Sequence, residues 1–426
     1  MIQHLIHIIW NQRKQNAWIW LELVLVIVCL WYTTLSLYNN YHRYSEPLGF
    51  DITHTYRLEV AERSADAEGY ISAPGEQKTG SSLLKLMDRI RRMEGVEAVS
   101  FSIASHPYNS MSNYLQAYVD TTATRLLWYR VSDSFFDVFR IKASNGSSLR
   151  GKLTESSVIL TQDAINKMFP ANADATRKVI HMEGSHEDVR IAAVSTPVSY
   201  GEFFGCVPSV YTLFSDNYIE NGINPGNINM AEVCIRVSAN ADRNDYADRF
   251  LELANNSIHA DNLYIKDIRP VEYMRYDLIS SGVKRMRMNT LLGGFLLISV
   301  FLGITGTFLF RTRQRRSELA LRVAMGSSRN KLLYFLFQEG FILLALALIP
   351  AFIIAWNIFF ATDGMVGAGT SFGFAEEERG VIIRASRFFI AFSFSVGLIA
   401  VMMIAGIILP ALRAVKMQPA EALHDE

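Results

Sequence analysis

The chain has 426 residues, a mean hydropathy of +0.14, 50% hydrophobic residues and only 19% charged residues. This composition is typical of a membrane protein that also carries a water-soluble part. Lysine plus arginine and aspartate plus glutamate number 41 each, so the overall charge predicts neither nucleic-acid binding nor an acidic substrate.

The first apolar run covers residues 17–38 and follows a short polar segment that contains Arg13 and Lys14. About twenty apolar residues suffice to cross a hydrocarbon core of about 30 Å, so the run predicts a transmembrane helix. No cleavage site of small residues follows it, and its tryptophans are typical of interfacial aromatic residues. We therefore predict a retained signal anchor, with residues 1–16 as a cytoplasmic N-terminus.

Residues 39–288 contain no comparable apolar run and predict one large α+β domain outside the membrane. Two stretches of this domain share a pattern of a strand, an amphipathic helix and a second strand, which indicates two related half-units. The predicted elements are strand 55–60, helix 83–90 and strand 96–103 in the first half-unit, and strand 232–237, helix 242–253 and strand 263–268 in the second.

A β-rich insertion at about residues 107–229 separates the two half-units. Short alternating strands lie between turn residues in this region, and residues 179–194 predict a β-hairpin. Four side chains near the hairpin turn could be drawn as metal ligands, but they match no standard ligand spacing, so we favour a solvated turn and predict no metal site. These side chains are His181, Glu183, His186 and Asp188.

Three further apolar runs, at about residues 290–310, 333–360 and 388–409, predict three more transmembrane helices. The stretch between the second and third runs is strongly basic, and loops rich in lysine and arginine stay in the cytoplasm. It holds Arg311, Arg313, Arg315, Arg316, Arg322, Arg329 and Lys331. We therefore predict that both termini and this loop are cytoplasmic and that the large domain lies on the opposite side.

Two acidic residues, Glu22 and Glu339, lie inside predicted membrane helices. A carboxylate at mid-bilayer costs about 2.5 to 3.5 kcal/mol on insertion scales, and less near an interface. Both positions are close to the cytoplasmic end, which favours snorkelling or pairing with Arg13, Lys14 or the arginine-rich loop over a proton or substrate relay. Four glycines of the second run indicate close helix packing, including packing across a dimer interface; they are Gly293, Gly294, Gly303 and Gly306.

No pattern in the sequence assembles a catalytic site or a cofactor site. A nucleotide-binding loop needs Gly-x-x-x-x-Gly-Lys-Ser/Thr between a strand and a helix, and the nearest stretch, residues 69–79, has misplaced glycines. No nucleophile elbow, zinc-protease helix or kinase signature occurs. Of three cysteines only Cys206 and Cys234 could meet, and buried free thiols are the favoured interpretation. We predict neither enzymatic activity nor a cofactor for this chain.

Residues 315–331 read RRSELALRVAMGSSRNK, which predicts a short polar helix ended by Gly326. A juxtamembrane helix lying on anionic membrane lipids would account for the arginines alone. The pattern also resembles the hallmark loop of the FtsX/MacB permease family, in which a glutamate follows shortly downstream, as Glu339 does here. The end of the chain at residues 417–423 is similar to the Pro-x-x-Ala-Leu tail of that family.

The large domain adds a third likeness to the same family. Three of its segments resemble the MacB-type periplasmic core pattern, namely residues 131–139, 158–170 and 191–194. The resemblance therefore covers nearly the whole chain. It implies a porter-like subdomain of split βαβ units, with the β-rich insertion as a second subdomain, and an FtsX-like permease domain at residues 289–426.

The resemblance implies a permease subunit of a bacterial ABC transporter, placed in the inner (cytoplasmic) membrane with its large domain in the periplasm. Such proteins work with an ATPase and form dimers, so the expected partners are a separate ABC ATPase, a second permease copy or paralogue, and membrane lipids. The loop helix of the family contacts the ATPase. That contact assigns ATPase-coupling roles to Arg316, Glu318, Arg322 and Gly326.

The implied function is mechanotransmission, in which ATP hydrolysis in the cytoplasm moves the periplasmic domain and drives export or efflux. Four narrow spans with few polar residues offer no evident hydrophilic path, which favours the transmission of work over conduction. Within the family, lipoprotein release or regulation of wall hydrolases in cell division is the alternative. A membrane-anchored ligand sensor would need a cytoplasmic output module, and the cytoplasmic loop is too short for one.

Overall fold

The computed structural model describes residues 13–67, 69–71, 79–119, 122–169, 176–184, 188–314, 321, 325, 328–362 and 381–416. The chain divides into two compact units. The membrane unit comprises Met1–His42 and Gly282–Glu426, and the sheet unit comprises Arg43–Ser281.

The helices in chain order are α1 (Arg13–Tyr44), α2 (Thr79–Arg91), α3 (Phe135–Val138), α4 (Gln162–Met168), α5 (Asp216–Gly222), α6 (Tyr246–Ser257), α7 (Val271–Gln314), α8 (Arg329–Ala361) and α9 (Val381–Lys416). The strands are β1 (Thr55–Glu62), β2 (Val96–Ile103), β3 (Tyr114–Val119), β4 (Thr122–Val131), β5 (Ser157–Thr161), β6 (Val179–Met182), β7 (Val189–Ser195), β8 (Ser209–Leu213), β9 (Glu232–Val237), β10 (His259–Ala260) and β11 (Leu263–Pro270).

Within the described chain, four helices are long and apolar enough to cross a membrane, namely α1, α7, α8 and α9. Each of these helices contains one of the apolar runs that predicted a span. A segment in hydrocarbon forms a helix because its backbone groups must bond within the segment itself. The helices extend beyond these runs, most of all α7, which has 44 residues. Apolar side chains of all four pack into one core; examples are Ile27 of α1, Ile304 of α7, Ala347 of α8 and Ile407 of α9.

The two predicted half-units interlock in one antiparallel sheet. Its strands have the order β11-β1-β9-β2, with the short β10 at the outer edge. Helix α2 lies between β1 and β2 in the chain, and α6 lies between β9 and β11, so each half-unit is a strand, a helix and a strand. Because a strand of one half-unit lies between the two strands of the other, the arrangement is the predicted split βαβ fold.

The inserted region forms a closed barrel of six described strands. The pairs around it are β4–β3, β3–β6, β6–β7, β7–β5, β5–β8 and β8–β4, and the last pair closes the circle. A closed barrel leaves no edge strand free to pair with another chain. A short pairing of Ser102 and Ile103 on β2 with Val131 and Arg130 on β4 joins the barrel to the central sheet.

One predicted helix starts later than the sequence indicated. The pattern predicts a helix over 242–253, whereas α6 begins at Tyr246. The reason lies in Asp242, whose carboxylate accepts a hydrogen bond from the Tyr56 hydroxyl and lies 2.5 Å from Nδ1 of His54. Because this carboxylate is held by residues of β1 and the turn before it, residues 238–245 form a turn instead of helix.

A buried arginine ties β9 to the chain segments packed beside it. Nε of Arg236 donates to the carbonyl of Val138 at 2.6 Å, and its terminal nitrogens donate to the carbonyls of Thr53 at 2.8 Å and Asp51 at 2.6 Å. A guanidinium presents several donors in a fixed plane, so one side chain satisfies carbonyls from two separate segments. Arg236 therefore fixes α3 and the start of β1 against β9.

A buried carboxylate holds the loop that leads from β2 into the barrel. Oε2 of Glu232 accepts hydrogen bonds from the hydroxyl of Ser102 at 2.9 Å and from the backbone N–H groups of Ser105 at 2.9 Å and His106 at 3.2 Å. Its Oε1 accepts from the side-chain amide of Asn109. Several donors on one carboxylate offset the cost of its burial, so Glu232 defines the path of the loop.

His106 is buried beside Glu232 and is held by the neighbouring backbone. Its Nδ1 lies 2.8 Å from the carbonyl oxygen of Pro107, and because a carbonyl only accepts, Nδ1 carries the proton. Burial lowers the pKa of His106 below its usual value, although the charge of Glu232 opposes this shift. The native state therefore resists the second proton that the unfolded chain takes up near pH 6.5.

This arrangement predicts a pH dependence of stability. A depressed native pKa means that the contribution of His106 is complete above about pH 6.5 and is lost as the pH falls below it, by up to about 1.4 kcal/mol per pH unit. We expect His106→Asn, which keeps an N–H donor, to flatten this slope in unfolding measurements on the detergent-solubilised chain. The exposed His259→Asn is the matched control and should keep the wild-type slope; identical slopes in all three proteins would contradict the prediction.

Candidate functional site

The four predicted coupling residues lie outside the residues that the structure describes; they are Arg316, Glu318, Arg322 and Gly326. Two of their neighbours, Leu321 and Met325, are described, and both side chains are exposed. The backbone N–H of Met325 donates to the carbonyl of Leu321 at 2.9 Å, which is one turn of α-helix. Two exposed apolar side chains joined by this backbone hydrogen bond are a small surface that a protein partner can cover.

Arg311 and Glu339 form a buried ion pair between α7 and α8. Nη1 of Arg311 lies 2.9 Å from Oε1 of Glu339, and the two residues are 9% and 1% exposed. Removing one partner of a buried pair costs about 3 to 5 kcal/mol, because the other charge is left in a medium of low dielectric constant. Glu339 is therefore paired with an arginine near the basic loop, and the pair joins the two helices that flank residues 315–328.

The second membrane acid, Glu22 of α1, packs against Gly303 of α7. A Cβ atom at position 303 would lie 2.3 Å from Oε1 of Glu22, so the carboxylate end of this flexible side chain would have to move to admit a side chain there. Gly293 approaches α1 more loosely, since a Cβ there would lie 3.7 Å from the hydroxyl oxygen of Thr33. Of the four glycines in the second apolar run, Gly303 makes the closest contact with another helix, and its partner is an acidic side chain.

This contact predicts a pair of coupled substitutions. Gly303→Ala should push the Glu22 carboxylate aside and destabilise the α1–α7 packing by about 1 kcal/mol, the low end of the cost of overpacking, because only the end of a flexible side chain has to move. Adding Glu22→Ala should recover most of this loss because it removes the clashing atoms. Thermal unfolding in detergent measures both effects, with Gly294→Ala as a control where a Cβ meets open space. A double variant no more stable than Gly303→Ala would show that the clash is not the cause.

Of the four side chains that could be drawn as a metal site, the structure brings two into contact. Nδ1 of His181 and Oδ1 of Asp188 lie 3.2 Å apart across the exposed β6–β7 turn, and His186 lies outside the described residues. Over the described ranges, no three His, Cys, Asp or Glu side chains are placed to hold a metal ion. Cys206 and Cys234 are not bridged, and burial raises the pKa of the Cys234 thiol.

Sequence reasoning missed a second ion pair, in the sheet unit. Oε1 of the buried Glu202 accepts hydrogen bonds from Nε of Arg275, near the start of α7, and from the hydroxyl of Tyr108 at 3.1 Å. The two charged residues are 73 positions apart in the chain. Local periodicity carries no signal over such a distance, so only the folded chain brings them together.

Comparisons with known proteins add a family match and three structural likenesses. Residues 290–419 match the family model described as FtsX-like permease C-terminal. The periplasmic region of MacB from Actinobacillus actinomycetemcomitans is similar over 55% of this chain and 97% of that chain, at 15% identity and a TM-score of 0.34. A search of curated proteins found no match.

Two further solved structures show the same degree of likeness. A domain of a putative permease protein from Porphyromonas gingivalis is similar over 53% of this chain and 98% of that chain, at 13% identity and a TM-score of 0.34. The extracellular domain of the noncanonic ABC-type transporter YknZ from Gram-positive bacteria is similar over 50% of this chain and 100% of that chain, at 14% identity and a TM-score of 0.30.

The described part of the chain thus combines four helices that are long and apolar enough to span a membrane with a match to a permease domain. Residues 290–419 match the FtsX-like permease C-terminal domain, which covers the part of the chain from α7 to the end of α9. The FtsX-like domain that the basic loop and the chain end predicted is thereby confirmed for residues 290–419.

Proposed function

We propose that this chain is the permease subunit of an ABC transporter complex and converts ATP hydrolysis by a separate ATPase into motion of the sheet unit. It lies in a bacterial inner membrane, with both termini and residues 315–328 in the cytoplasm and the sheet unit in the periplasm. The motion serves export or efflux. The observation that carries this proposal is the buried Arg311–Glu339 pair inside the matched permease domain.

The pair makes the ends of two helices act as one mechanical element. Residues 315–328 connect the end of α7 to the start of α8, so a force on this segment is applied to both helices. Separating Arg311 from Glu339 would leave two charges unpaired in a low-dielectric interior, so the pair resists relative motion of the helix ends. A push from the ATPase is therefore passed on to α7 and α8 together.

Helix α7 is suited to carry that motion over a long distance. Its 44 residues contain no proline and correspond to a length of about 66 Å at 1.5 Å per residue. About 20 residues suffice to cross the hydrocarbon core. The remaining turns, which are rich in charged side chains, run without a break to Val271, directly after β11. No flexible loop therefore separates the apolar part of α7 from the central sheet.

The interior of the membrane unit supports transmission over conduction. The described side chains between the four helices are mostly aliphatic, and an aromatic cluster continues this packing around Trp31 and Phe388, whose ring centroids are 5.3 Å apart. A hydrophilic substrate would need polar groups along such a path. The substrate in this proposal is handled by the sheet unit, and the membrane helices transmit work.

The docking part of the proposal is tested by substitutions in the loop helix. We expect Glu318→Arg combined with Gly326→Val to abolish co-purification of the ATPase with the tagged chain from native membranes, because both the charge pattern and the helix end are lost. Protein yield and melting temperature should stay at wild-type values. Glu252→Arg on the exposed face of α6 is the matched control. Unchanged recovery of an ATPase with the loop variant would refute the docking role.

A second variant separates docking from transmission. Arg311→Met combined with Glu339→Gln removes both charges, so no buried charge is left unpaired. We expect the ATPase still to co-purify with this variant, while ATP hydrolysis by the complex falls several-fold because the helix ends no longer move together. Hydrolysis at the wild-type rate would show that the ion pair has only a structural role.

Dimerisation through α7 is the arrangement that we propose for the membrane unit. A row of apolar side chains on this helix is 61 to 68% exposed and recurs with spacings of three and four residues: Met288, Leu291, Phe295, Ile298 and Leu302. This spacing is the seam of a paired helix. A Cβ atom added to Gly294 or Gly306 on α7 would point into open space, which permits close approach of a second helix.

Cysteine cross-linking tests this interface in native membranes. In a chain whose three cysteines are replaced by serine, Leu291→Cys should give disulfide-linked dimers under mild oxidation. Val300→Cys is the matched control on the same helix, because Val300 is only 1% exposed and faces the core. A lack of dimers with Leu291→Cys, or equal cross-linking at both positions, would contradict a seam along the exposed face of α7.

A further inference from the structure

Residues 199–206, which we call the stalk loop, form a compact connection between β7 and β8 of the barrel. The base of the loop is closed by a bridge between Ser199 and Cys206. The hydroxyl of Ser199 lies 2.8 Å from the carbonyl oxygen of Gly201 and 3.0 Å from that of Gly205. Gly205 has a φ of +73°, a conformation that favours glycine. The stalk loop is therefore a defined element that can transmit a displacement.

The stalk loop contacts the last residues of α1. Nη1 of Arg43 donates to the carbonyl of Phe203 at 3.4 Å, and the rings of Tyr44 and Phe203 have centroids 5.7 Å apart. These contacts join one side of the loop to the helix that comes from the N-terminal span. They combine a weak hydrogen bond with an aromatic contact, so this side is held mainly by packing.

The opposite side of the stalk loop contacts the first turns of α7. Glu202 forms its ion pair with Arg275 there, and a Cβ on Gly201 would lie 3.6 Å from Cδ2 of Leu278, which is ordinary packing distance. All hydrogen bonds to Glu202 from described residues arrive at Oε1, while Oε2 is buried and accepts none. The carboxylate is thus held at Oε1, while Oε2 can accept a hydrogen bond from Arg275 if α7 shifts.

The stalk loop is also bonded to the rest of the sheet unit. The hydroxyl of Tyr200 donates to the backbone carbonyl of Asn109, and the side-chain amide of Asn109 donates to Glu232 at the start of β9. The loop thereby connects both long helices to the barrel, of which it is a part, and to the central sheet.

We propose that Glu202 and Arg275 are positioning residues, through which a displacement of α7 moves the stalk loop and with it the β-barrel. The proposal rests on the mechanotransmission proposed above. It assigns the transfer of motion from α7 to the barrel to one ion pair. Without the pair, α7 would still connect to β11 through the chain, but the barrel would follow α7 only through apolar packing at Leu278. The pair therefore decides whether the barrel moves with the helix.

Hydrogen–deuterium exchange of the full chain with its co-purified ATPase tests this role. Exchange is measured with and without a non-hydrolysable ATP analogue and Mg²⁺ in peptides that cover residues 315–331, 199–206 and 179–195. In the wild-type complex we expect nucleotide-dependent changes in all three segments. In Glu202→Gln combined with Arg275→Met we expect the change in 315–331 to remain and the changes in the other two to be lost. This double variant leaves no buried charge unpaired and keeps an acceptor for Tyr108, so it should fold.

The matched control makes the same two changes at exposed positions of the barrel, as Glu183→Gln with Arg190→Met, and should respond like the wild type. Arg275→Lys is a second test variant that keeps the charge and shortens the reach to Glu202; it should weaken the barrel response without changing that of 315–331. A wild-type barrel response in the double variant would overturn the positioning role. A wild-type complex that responds at 315–331 but not at 199–206 would overturn it too and leave the proposed function standing. No response at 315–331 would refute both.

Discussion

A bilayer core offers the peptide backbone no hydrogen-bond partner, and this constraint shapes the whole chain. Every backbone group in the hydrocarbon must bond within its own segment, so the chain crosses as long helices. Such helices are stiff along their axes. In α7 the same hydrogen-bond ladder continues past the apolar run to Val271, the residue directly after β11. The need to satisfy backbone hydrogen bonds within the membrane thus also produces the long helix that the proposed mechanism uses to transmit motion.

Buried carboxylates mark the places where separate elements must keep a fixed relation. Glu339 joins α8 to α7 through Arg311, Glu202 joins the stalk loop to α7 through Arg275, and Glu232 joins β9 to the loop after β2. Buried ion pairs contribute little net stability, because desolvation offsets their attraction. Separating the two partners is costly, however, because each charge is then left buried without a partner. Each of these acids therefore favours one arrangement of the elements that it joins. Such contacts suit a protein that passes on motion.

The sheet unit combines two kinds of architecture with different mechanical properties. The split βαβ sheet is connected in sequence to two long helices: β1 follows α1, and β11 directly precedes α7. The barrel is closed by the parallel β4–β8 pair and is inserted between β2 and β9. A closed barrel deforms little, so in the proposed mechanism it moves as one body and follows the contacts at its base. The stalk loop provides the contacts that reach both long helices.

Patterns of local periodicity determined the elements of this protein. Apolar runs located the four spans, and alternation located β2 and β9 at the bounds that the structure shows, because side-chain spacing within one element reflects which face is buried. Linear motifs likewise indicated the permease family and proposed the coupling residues. The tertiary structure decided what periodicity cannot encode: the closure of the barrel by Leu127 opposite Ser209, the choice of Arg311 as the partner of Glu339, and the meeting of Glu202 with Arg275. Those contacts join residues far apart in the chain, and their selection depends on the mutual packing of complete elements.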